Sequence, residues 1–319
     1  MQKSPFRYSL DNKRYHALNY HIKNRFGRKI FKAVIECGFT CPNIDGTKGI
    51  GGCIFCDGGS GYFTRPDLTV TQQLDSEYSR LSKKYENVEM IAYFQANTNT
   101  YGDISHLRKL YTEALAHENV VGLSIGTRAD CLSDDVLDLL EELNSRTYLT
   151  VELGMQTVHE KTLRLINRCC THSEFVKGYD KLKKRGIRTC LHIINGLPFE
   201  SHEMMLETAM RTAEMHPDAV KIQMLHVIKG TRIEEMYLNS EFSMLSRDEY
   251  INIVAHQLEV IPPETVIERI TGDGDKSKLI APMWTADKIA VLGGIDKKLA
   301  ELDTWQGRLY DISHTGDDL

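Results

Sequence analysis

The sequence predicts an α/β protein built on a partial (β/α)6 barrel, and three observations lead to that prediction. Short apolar runs of strand length alternate with amphipathic segments of helix length along most of the 319 residues. Strands that alternate with helices favour a parallel sheet with right-handed crossovers. Because six such units fall short of the eight in a closed barrel, we expect a curved sheet that stays partly open.

Four strands are predicted in the first half of the chain from their apolar and β-branched residues. They cover residues 30–36, 88–95, 120–126 and 148–154. Residues 105–117 have apolar side chains at helical spacing, which predicts a helix between the second and third strands. Ser133 is a suitable N-cap for a further helix over 134–143, because acidic residues follow it in the first turn.

The second half repeats the alternation. Helices are predicted at 174–184, 203–215 and 248–260, with strands at 189–195 and 219–227. A further strand at 266–271 and a helix at 286–302 form a C-terminal extension. We therefore expect a basic N-terminal extension over residues 1–34, a barrel core over 35–235 and an extension over 236–319 that packs on the core.

Composition excludes several classes of protein. Apolar residues make up 41% and charged residues 26% of the chain, which is ordinary for a globular protein. No run of about 18 apolar residues predicts a membrane span, and the first residues lack an apolar signal core. We expect a cytoplasmic protein whose eight cysteines are reduced, some of them as metal ligands.

The formal net charge of −5 argues against a wholly basic nucleic-acid binder, yet the charge is unevenly distributed. Residues 1–34 carry nine Lys and Arg and one acid, Asp11, and aromatic residues lie between them. Such a segment suits contact with phosphate groups. A solvated, charged arm with a few anchoring aromatic residues is the alternative.

Three cysteines lie in one glycine-rich loop after the first predicted strand: Cys41, Cys53 and Cys56. Thiolates spaced like Cys53 and Cys56 commonly hold a metal. A four-iron–four-sulfur cube has four corners, so three thiolates leave one iron open to a small molecule. The alternative is structural zinc, for which Cys37 would supply a fourth thiolate. Cys37 ends the predicted strand, however, where small thiols are often simply buried.

The loop, with Phe55 just before its last cysteine, resembles the radical S-adenosylmethionine (SAM) superfamily, although its spacing is wider than the common Cys-x3-Cys-x2-Cys. It is similar to the branch that includes the catalytic subunit of the Elongator complex and short bacterial relatives. The resemblance covers about residues 5–305. Five further stretches are similar to those relatives: 93–101 (YFQANTNTY), 126–130 (GTRAD), 152–157 (ELGMQT), 192–198 (HIINGLP) and 269–274 (RITGDG).

The resemblance implies a four-iron–four-sulfur cluster bound by Cys41, Cys53 and Cys56, with Cys37 outside the set. Phe55, directly before the last of these cysteines, is expected to be a cofactor contact. It also implies SAM, whose amino and carboxylate groups would chelate the open iron. An external one-electron reductant such as flavodoxin or ferredoxin would reduce the cluster. SAM would then be cleaved to methionine and a 5′-deoxyadenosyl radical, which would remove a hydrogen atom from the substrate.

Polar residues after successive predicted strands are candidate SAM contacts. The amides of Gln95, Asn97 and Asn99 would accept from its amino group, where many superfamily members carry Gly-Gly-Glu. Arg128 would pair with a carboxylate of SAM or of the substrate. For any one of these residues alone, a role as a cap or turn residue is favoured, and it is their shared position after the strands that favours a site.

The later strands add four residues to this set of SAM contacts. Glu152, expected at the end of the fourth strand, would accept from ribose hydroxyls or the amino group. Gln156 would bridge nearby polar atoms. Asn195 and Gly196, after the fifth strand, would let the backbone approach adenine closely.

Three residues are candidates for contact with the substrate. Tyr101 would pass or donate a hydrogen atom, and Lys229 would bind a phosphate, with a solvated loop lysine as its alternative. His192 fits a core histidine better than a substrate contact.

The short bacterial relatives resemble an enzyme that trims 5-carboxymethylaminomethyl-uridine to 5-aminomethyl-uridine at the wobble position of tRNA. The tail after the sixth strand is too short for an added acetyltransferase domain, so acetyl-CoA chemistry is not expected. We therefore expect tRNA and a reductant as partners, and no membrane. The alternatives are a radical SAM enzyme acting on a small metabolite and a non-catalytic zinc-binding RNA module.

Overall fold

The computed structural model describes residues 6–9, 11–58, 64–272 and 274–310. Within these ranges the strands are β1 Phe31–Ile35, β2 Met90–Phe94, β3 Val120–Thr127, β4 Tyr148–Gln156, β5 Thr189–Asn195, β6 Ala219–Met224, β7 Val227–Ile228, β8 Val266–Arg269 and β9 Leu279–Ala281. The α-helices are α1 Leu18–Phe26, α2 Val70–Ser82, α3 Ile104–Ala116, α4 Asp134–Arg146, α5 Glu160–Leu165, α6 His172–Lys184, α7 His202–Glu214, α8 Arg232–Leu238, α9 Arg247–Val260 and α10 Lys288–Glu301.

Tertiary contacts divide the chain into two compact units. The first unit contains residues 25–155 and 163–190, and the second contains residues 1–24, 156–162 and 191–319. Each unit therefore combines segments that are distant in the sequence. The division into 1–34, 35–235 and 236–319 stays a prediction.

The first unit contains four strands in the order β1-β2-β3-β4, each parallel to its neighbour. Every residue of β2 is buried, as expected for a parallel sheet covered on both faces. Phe94 of β2 packs edge-on against Tyr111 of α3, with ring centroids 5.0 Å apart. The register places Gly126 of β3 opposite Glu152 of β4, which brings two of the predicted site segments side by side.

The second unit contains β5, β6 and β8 in that order. β6 and β8 are parallel, with Ala219 opposite Val266. The strand expected in the C-terminal extension is therefore a full member of a parallel sheet beside β6. The strand expected over 219–227 ends at Met224, and the residues after it form β7, which pairs antiparallel with β9.

The predicted helices all form, with ends that differ by up to three residues from the expected bounds. Ser133 occupies the N-cap of α4 as predicted, but its hydroxyl bonds the carboxylate of Asp135 instead of a backbone N–H group. The sequence analysis missed α2, although Thr69 and Gln72 form a capping box at its start. Within the described ranges, every helix is too short or too polar to cross a lipid bilayer.

Candidate functional site

The cysteine loop is the first part of the candidate site, and it lies in the first unit after β1. Its backbone is tightly turned, because the N–H groups of Ile44 and Asp45 both donate to the Cys41 carbonyl oxygen, at 2.7 and 3.1 Å. A second turn is closed by the Cys56 N–H group, which donates to the Cys53 carbonyl oxygen at 2.9 Å. The first turn thus begins at Cys41, and the second has Cys53 and Cys56 at its two ends.

The charged groups that act on Cys56 differ from those that act on Cys37. Desolvation by the surrounding chain raises the pKa of the Cys56 thiol, and the charges of Cys53 and Cys41 raise it further. Burial raises the pKa of Cys37 to about 12, and the charges that add to this effect belong to Glu113 and Glu36. The Cys56 thiol thus interacts with those of Cys53 and Cys41, and the choice of three ligands without Cys37 stays a prediction.

Asn167 holds the shape of the cysteine loop from a distant part of the first unit. Its side-chain amide donates to the carbonyl oxygens of Ile50 and Gly52, at 3.1 and 2.8 Å. Its own carbonyl oxygen accepts from the amide of Asn43, which is wholly buried. The sequence analysis missed both asparagines, since nothing in their spacing indicates that residues 43 and 167 meet.

The polar run after β2 fits a ligand that carries an amino group. The amide of Asn99 donates to the carbonyl oxygens of Ala96 and Gly126, at 2.7 and 2.8 Å. Its carbonyl oxygen and the hydroxyl of Thr98 are buried without a hydrogen-bond partner among the described residues. A buried oxygen of this kind favours a ligand donor such as the SAM amino group, because leaving it unpaired is costly.

The other members of this run are held in defined positions. The Asn97 amide donates to the Phe39 carbonyl oxygen at 2.8 Å, and the Gln95 N–H group donates to the Ile35 carbonyl oxygen at 3.0 Å. The hydroxyl of Tyr101 lies 2.8 Å from that of Thr47 in the cysteine loop. Gln95 thus connects the run to the end of β1, Asn97 connects it to the segment after β1, and Tyr101 connects it to the cysteine loop.

Arg128 makes a buried ion pair with a residue of its own segment. Its guanidinium meets both carboxylate oxygens of Asp130 at 2.9 Å and also donates to the carbonyl oxygens of Arg168 and Cys169. Although burial alone would lower it, the pKa of Arg128 is raised by this pairing. The predicted pairing of Arg128 with a carboxylate of SAM or substrate stays a prediction.

Asp130 also binds Lys48 of the cysteine loop. The Lys48 ammonium lies 2.6 Å from the Asp130 carboxylate. Burial opposes the shift, but Arg128 and Lys48 together lower the pKa of Asp130 to about 2. Two cations therefore share one buried carboxylate, and this arrangement fastens the middle of the loop to the segment after β3.

Glu152 lies inside β4 rather than at its end, because the strand continues to Gln156. The expected position was wrong by four residues. The buried carboxylate accepts from the Lys32 ammonium at 2.7 Å and from the Ser124 hydroxyl. Its contact with SAM stays a prediction, and Lys32 is a neighbour that the sequence analysis missed.

The second unit contains the remaining candidates for SAM contact. Gln156 has a positive φ of 71°, and its side-chain carbonyl oxygen is buried without a partner among the described residues. Asn195 and Gln257 exchange two side-chain hydrogen bonds of 2.8 Å. Gly196 has a φ of 83°, a conformation that strongly favours glycine at this turn. Gln156 thus offers an acceptor, whereas the Asn195 amide is already occupied.

Two of the candidates for contact with the substrate, Lys229 and His192, lie in the second half of the chain. Lys229 is exposed in the loop after β7, and its N–H group donates to the Lys278 carbonyl oxygen at 2.9 Å. Half-buried His192 lies within β5. Phe55, predicted as a cofactor contact and not as a substrate contact, is half-buried between Cys53 and Cys56. The Gly-Asp-Gly turn at 272–274 is only partly described, because Asp273 falls outside the described residues.

His226, just after β6, is a further histidine that the sequence analysis did not single out. Burial lowers its pKa to about 4, and nearby Lys288 lowers it further, so the imidazole is neutral near pH 7. A Cβ atom built on Gly272 would lie 2.5 Å from this ring. Only glycine at position 272 lets the backbone pass this close to the His226 ring. The two glycines of the 272–274 turn were the sequence signal for such a close approach.

Comparison with known proteins decides the family. The profile of the radical SAM superfamily matches residues 46–211, and that of the radical SAM C-terminal domain matches residues 217–301. The chain belongs to the radical SAM superfamily. It is also similar to YtqA of Bacillus subtilis, an uncharacterized protein, at 49% identity over 313 residues and 97% of each chain.

Two further similarities concern Elongator-type proteins. A tRNA uridine(34) acetyltransferase of Methanocaldococcus infernus is 29% identical over 161 residues, which are 50% of this chain and 30% of that one. The solved structure of Elp3 from the same archaeon matches with a TM-score of 0.67 at 19% identity, over 86% of this chain and 65% of that one. At that identity the likeness shows the fold, and it confirms the predicted partial barrel.

Radical SAM enzymes bind a four-iron–four-sulfur cluster and SAM, so the predicted cofactors are confirmed by the family. Residues of the first unit fit both groups: the Cys56 thiol interacts with those of Cys53 and Cys41, which suits a cluster, and Asn99 offers a buried acceptor oxygen for SAM. The zinc-binding RNA module is wrong, because the family binds iron and sulfide. The individual ligands and contacts stay predictions.

Proposed function

We propose that this radical SAM enzyme acts on the wobble uridine of tRNA and converts a 5-carboxymethylaminomethyl side chain to a 5-aminomethyl side chain. The observation that carries the proposal is the similarity to a protein named for uridine 34 of tRNA, within a fold shared with Elp3. The substrate comes from the sequence resemblance described above, and the match over 30% of the acetyltransferase does not itself indicate the reaction.

When bound, the cluster and SAM supply a radical that removes hydrogen from an unreactive C–H bond. The chain's own residues would bind and orient these groups and keep water away. Cys41, Cys53 and Cys56 would hold the cluster, and the acceptor oxygen of Asn99 would orient SAM. Exposed Lys229 would reach a phosphate of the tRNA.

The basic N-terminal segment supports tRNA binding less strongly than its sequence suggests. Arg7, Lys13 and Arg14 form ion pairs with Glu264, Asp296 and Asp303, and Arg28 pairs with Glu89. Arg25 and Lys29 lie instead over aromatic rings, Arg25 over Tyr148 and Lys29 over Phe31 and Tyr85. A cation on a ring keeps its net charge, so Arg25 and Lys29 are the better candidates for phosphate contact.

The test is an activity assay that identifies the modified nucleoside formed in tRNA. Anaerobically reconstituted enzyme, SAM and a reductant are incubated with tRNA that carries the carboxymethylaminomethyl group, and the tRNA is then digested to nucleosides. The proposal expects 5-aminomethyl-uridine together with 5′-deoxyadenosine. Unchanged nucleoside, with 5′-deoxyadenosine formed equally without tRNA, would reject it.

A radical SAM enzyme for a small metabolite is the alternative, and tRNA binding at two salt concentrations separates the two. Contacts to phosphates release counterions, so affinity for tRNA should fall steeply as salt rises. Arg25→Gln should reduce that salt dependence, whereas Arg7→Gln should leave it nearly unchanged because Arg7 is already paired. Absence of tRNA binding at low salt would favour the metabolite.

A further inference from the structure

The loop after β5 contains a tight turn with an unexpected residue. The Glu200 N–H group donates to the Leu197 carbonyl oxygen at 3.2 Å, which closes a four-residue turn. Pro198 is its second residue, and Phe199, its third, has a φ of +67°. Pro in the second position followed by a positive φ describes a type II turn, which normally takes glycine or asparagine in the third position.

A phenylalanine in this conformation is strained, because its Cβ crowds the backbone when φ is positive. Among the described residues, the other non-glycine positions with positive φ carry small or polar side chains: Asn87, Asn97, Gln156, Asn167, Cys169, His216, Ser240 and Asp303. Phe199 is the one bulky hydrocarbon side chain in this set. Glycine would form the same turn without the strain.

Burial of the ring does not offset this strain, because Phe199 is 64% exposed. The turn around it is firmly held. Leu197 is 2% exposed, and the Glu200 carboxylate accepts from the Thr157 hydroxyl at 2.6 Å. Directly after the turn, Ser201 caps α7 by accepting from the N–H group of Met204. The turn therefore presents an aromatic ring to solvent from a rigid support.

We infer that Phe199 is a stacking platform for an unpaired base of the RNA substrate, an inference that rests on the proposed action on tRNA. Strained residues that the fold itself does not need are concentrated at functional sites. Proteins recognise single-stranded RNA loops by stacking splayed bases on aromatic rings. Phe199 also follows the carboxyl end of β5, the end at which α/β barrels hold their ligands.

The adenine of SAM is the competing partner for this ring. Gly196, which was predicted to lie against adenine, comes only a few residues before Phe199 in the sequence. The exposure of Phe199 favours the RNA base, because a ring that faces solvent meets a macromolecule that arrives from solvent. The experiment therefore measures both affinities.

The test compares Phe199→Gly and Phe199→Trp with the unchanged enzyme, using tRNA that carries the carboxymethylaminomethyl group at fixed salt. Phe199→Gly should weaken tRNA binding by about 5-fold to 150-fold, the range for loss of one stacked base. Its melting temperature should stay equal or rise, since glycine relieves the strain. Phe199→Trp should keep the affinity, and the affinity for SAM should be unchanged in both variants.

Two controls match the variant. Leu238→Ala removes an apolar side chain that is 65% exposed in the same unit, and it should not alter tRNA binding. Asn87→Gly places glycine at another residue with a positive φ, of 49°, and shows how such a substitution changes the melting temperature without the loss of an aromatic ring.

The outcomes separate this inference from the proposed function. If the unchanged enzyme does not bind tRNA, both are wrong. If it binds tRNA and Phe199→Gly binds equally well, this inference alone is wrong. If Phe199→Gly loses affinity for SAM but keeps its affinity for tRNA, the ring contacts the cofactor, and the inference about the RNA base is wrong.

Discussion

The side-chain amide of Asn43 donates a hydrogen bond to the thiol sulfur of Cys53, with the nitrogen 3.7 Å from the sulfur. The same nitrogen donates to the Asn167 carbonyl oxygen, which identifies it as the amide nitrogen and not the oxygen. Hydrogen bonds to ligand sulfurs are one of the factors that set the potential of an iron–sulfur cluster. We therefore expect Asn43 to position the predicted ligand Cys53 and to tune the potential of the cluster.

Asn43→Leu should lower the reduction potential of the cluster. The substitution keeps the shape of the side chain but removes the donor, and the reduced cluster carries more charge on its sulfurs. A hydrogen bond worth about 1 kcal/mol corresponds to about 40 mV for one electron. An anaerobic redox titration followed by electron paramagnetic resonance measures the shift. Asn167→Leu disturbs the loop without removing this donor, so an equal shift in both variants would contradict the assignment.

Lys48→Met should loosen the cysteine loop while leaving the fold intact. Lys48 lies between Cys41 and Cys53, and its ion pair with Asp130 joins the loop to the segment after β3. We expect the variant to release iron to a chelator several times faster than the unchanged protein, with nearly the same melting temperature. Lys29→Met, which changes a lysine outside the loop, is the control. Equal rates of iron loss in both variants would show that the ion pair does not hold the loop.

Asp130→Asn should be much more harmful, because it leaves Arg128 buried without its counter-charge. Breaking a buried ion pair in this way costs about 3–5 kcal/mol of the free energy of unfolding. Denaturant unfolding of the protein at pH 7 measures the loss. A cost below about 1 kcal/mol would mean that the pair is not the buried contact described here.

The same carboxylate should give the protein a specific acid sensitivity. The pKa of Asp130 in the folded protein is lowered from 3.8 to about 2, so its ionised form stabilises the fold. This contribution, about 2 kcal/mol, is fully present above pH 4 and is lost as the pH falls through about 2. The difference in unfolding free energy between the unchanged protein and Asp130→Asn should therefore shrink below pH 4. A difference that stays constant down to pH 2.5 would contradict the assignment.

Two glycines in helices should respond to alanine with opposite signs. Gly178 of α6 packs on the segment that carries Arg128, and a Cβ there would lie 2.0 Å from the Ala129 carbonyl oxygen. Gly178→Ala should cost about 1–3 kcal/mol, since backbone cannot move aside easily. A Cβ on Gly293 of α10 meets nothing within 4 Å, so Gly293→Ala should gain about 0.5–1 kcal/mol. Stabilisation by both substitutions would show that α6 does not pack this closely.

The fold could be predicted from the sequence because its signals are local. The run at residues 189–195 gave β5 with the correct bounds, and the capping residue Ser133 marked the start of α4. β7 and β9 could not be predicted, because strands of two and three residues are too short to show an alternating pattern.

The site was predictable in its residue types but not in its pairings. The sequence shows where Arg128 and Glu152 stand relative to the strands. It does not show that Arg128 forms an ion pair with Asp130, or that Glu152 forms one with Lys32. Lys32 and Glu152 are 120 residues apart, and only the parallel sheet brings them together. Phe199 was overlooked for a similar reason, since a turn's φ angle is set by its surroundings.

The central claim is that three thiolates hold the cluster and leave one iron open. It is tested most directly by the iron and sulfide content of anaerobically reconstituted alanine variants of Cys37, Cys41, Cys53 and Cys56. We expect Cys37→Ala to keep a full four-iron–four-sulfur cluster and each of the other three variants to lose it. A Cys37→Ala protein without a cluster, or a Cys53→Ala protein that retains one, would contradict the account.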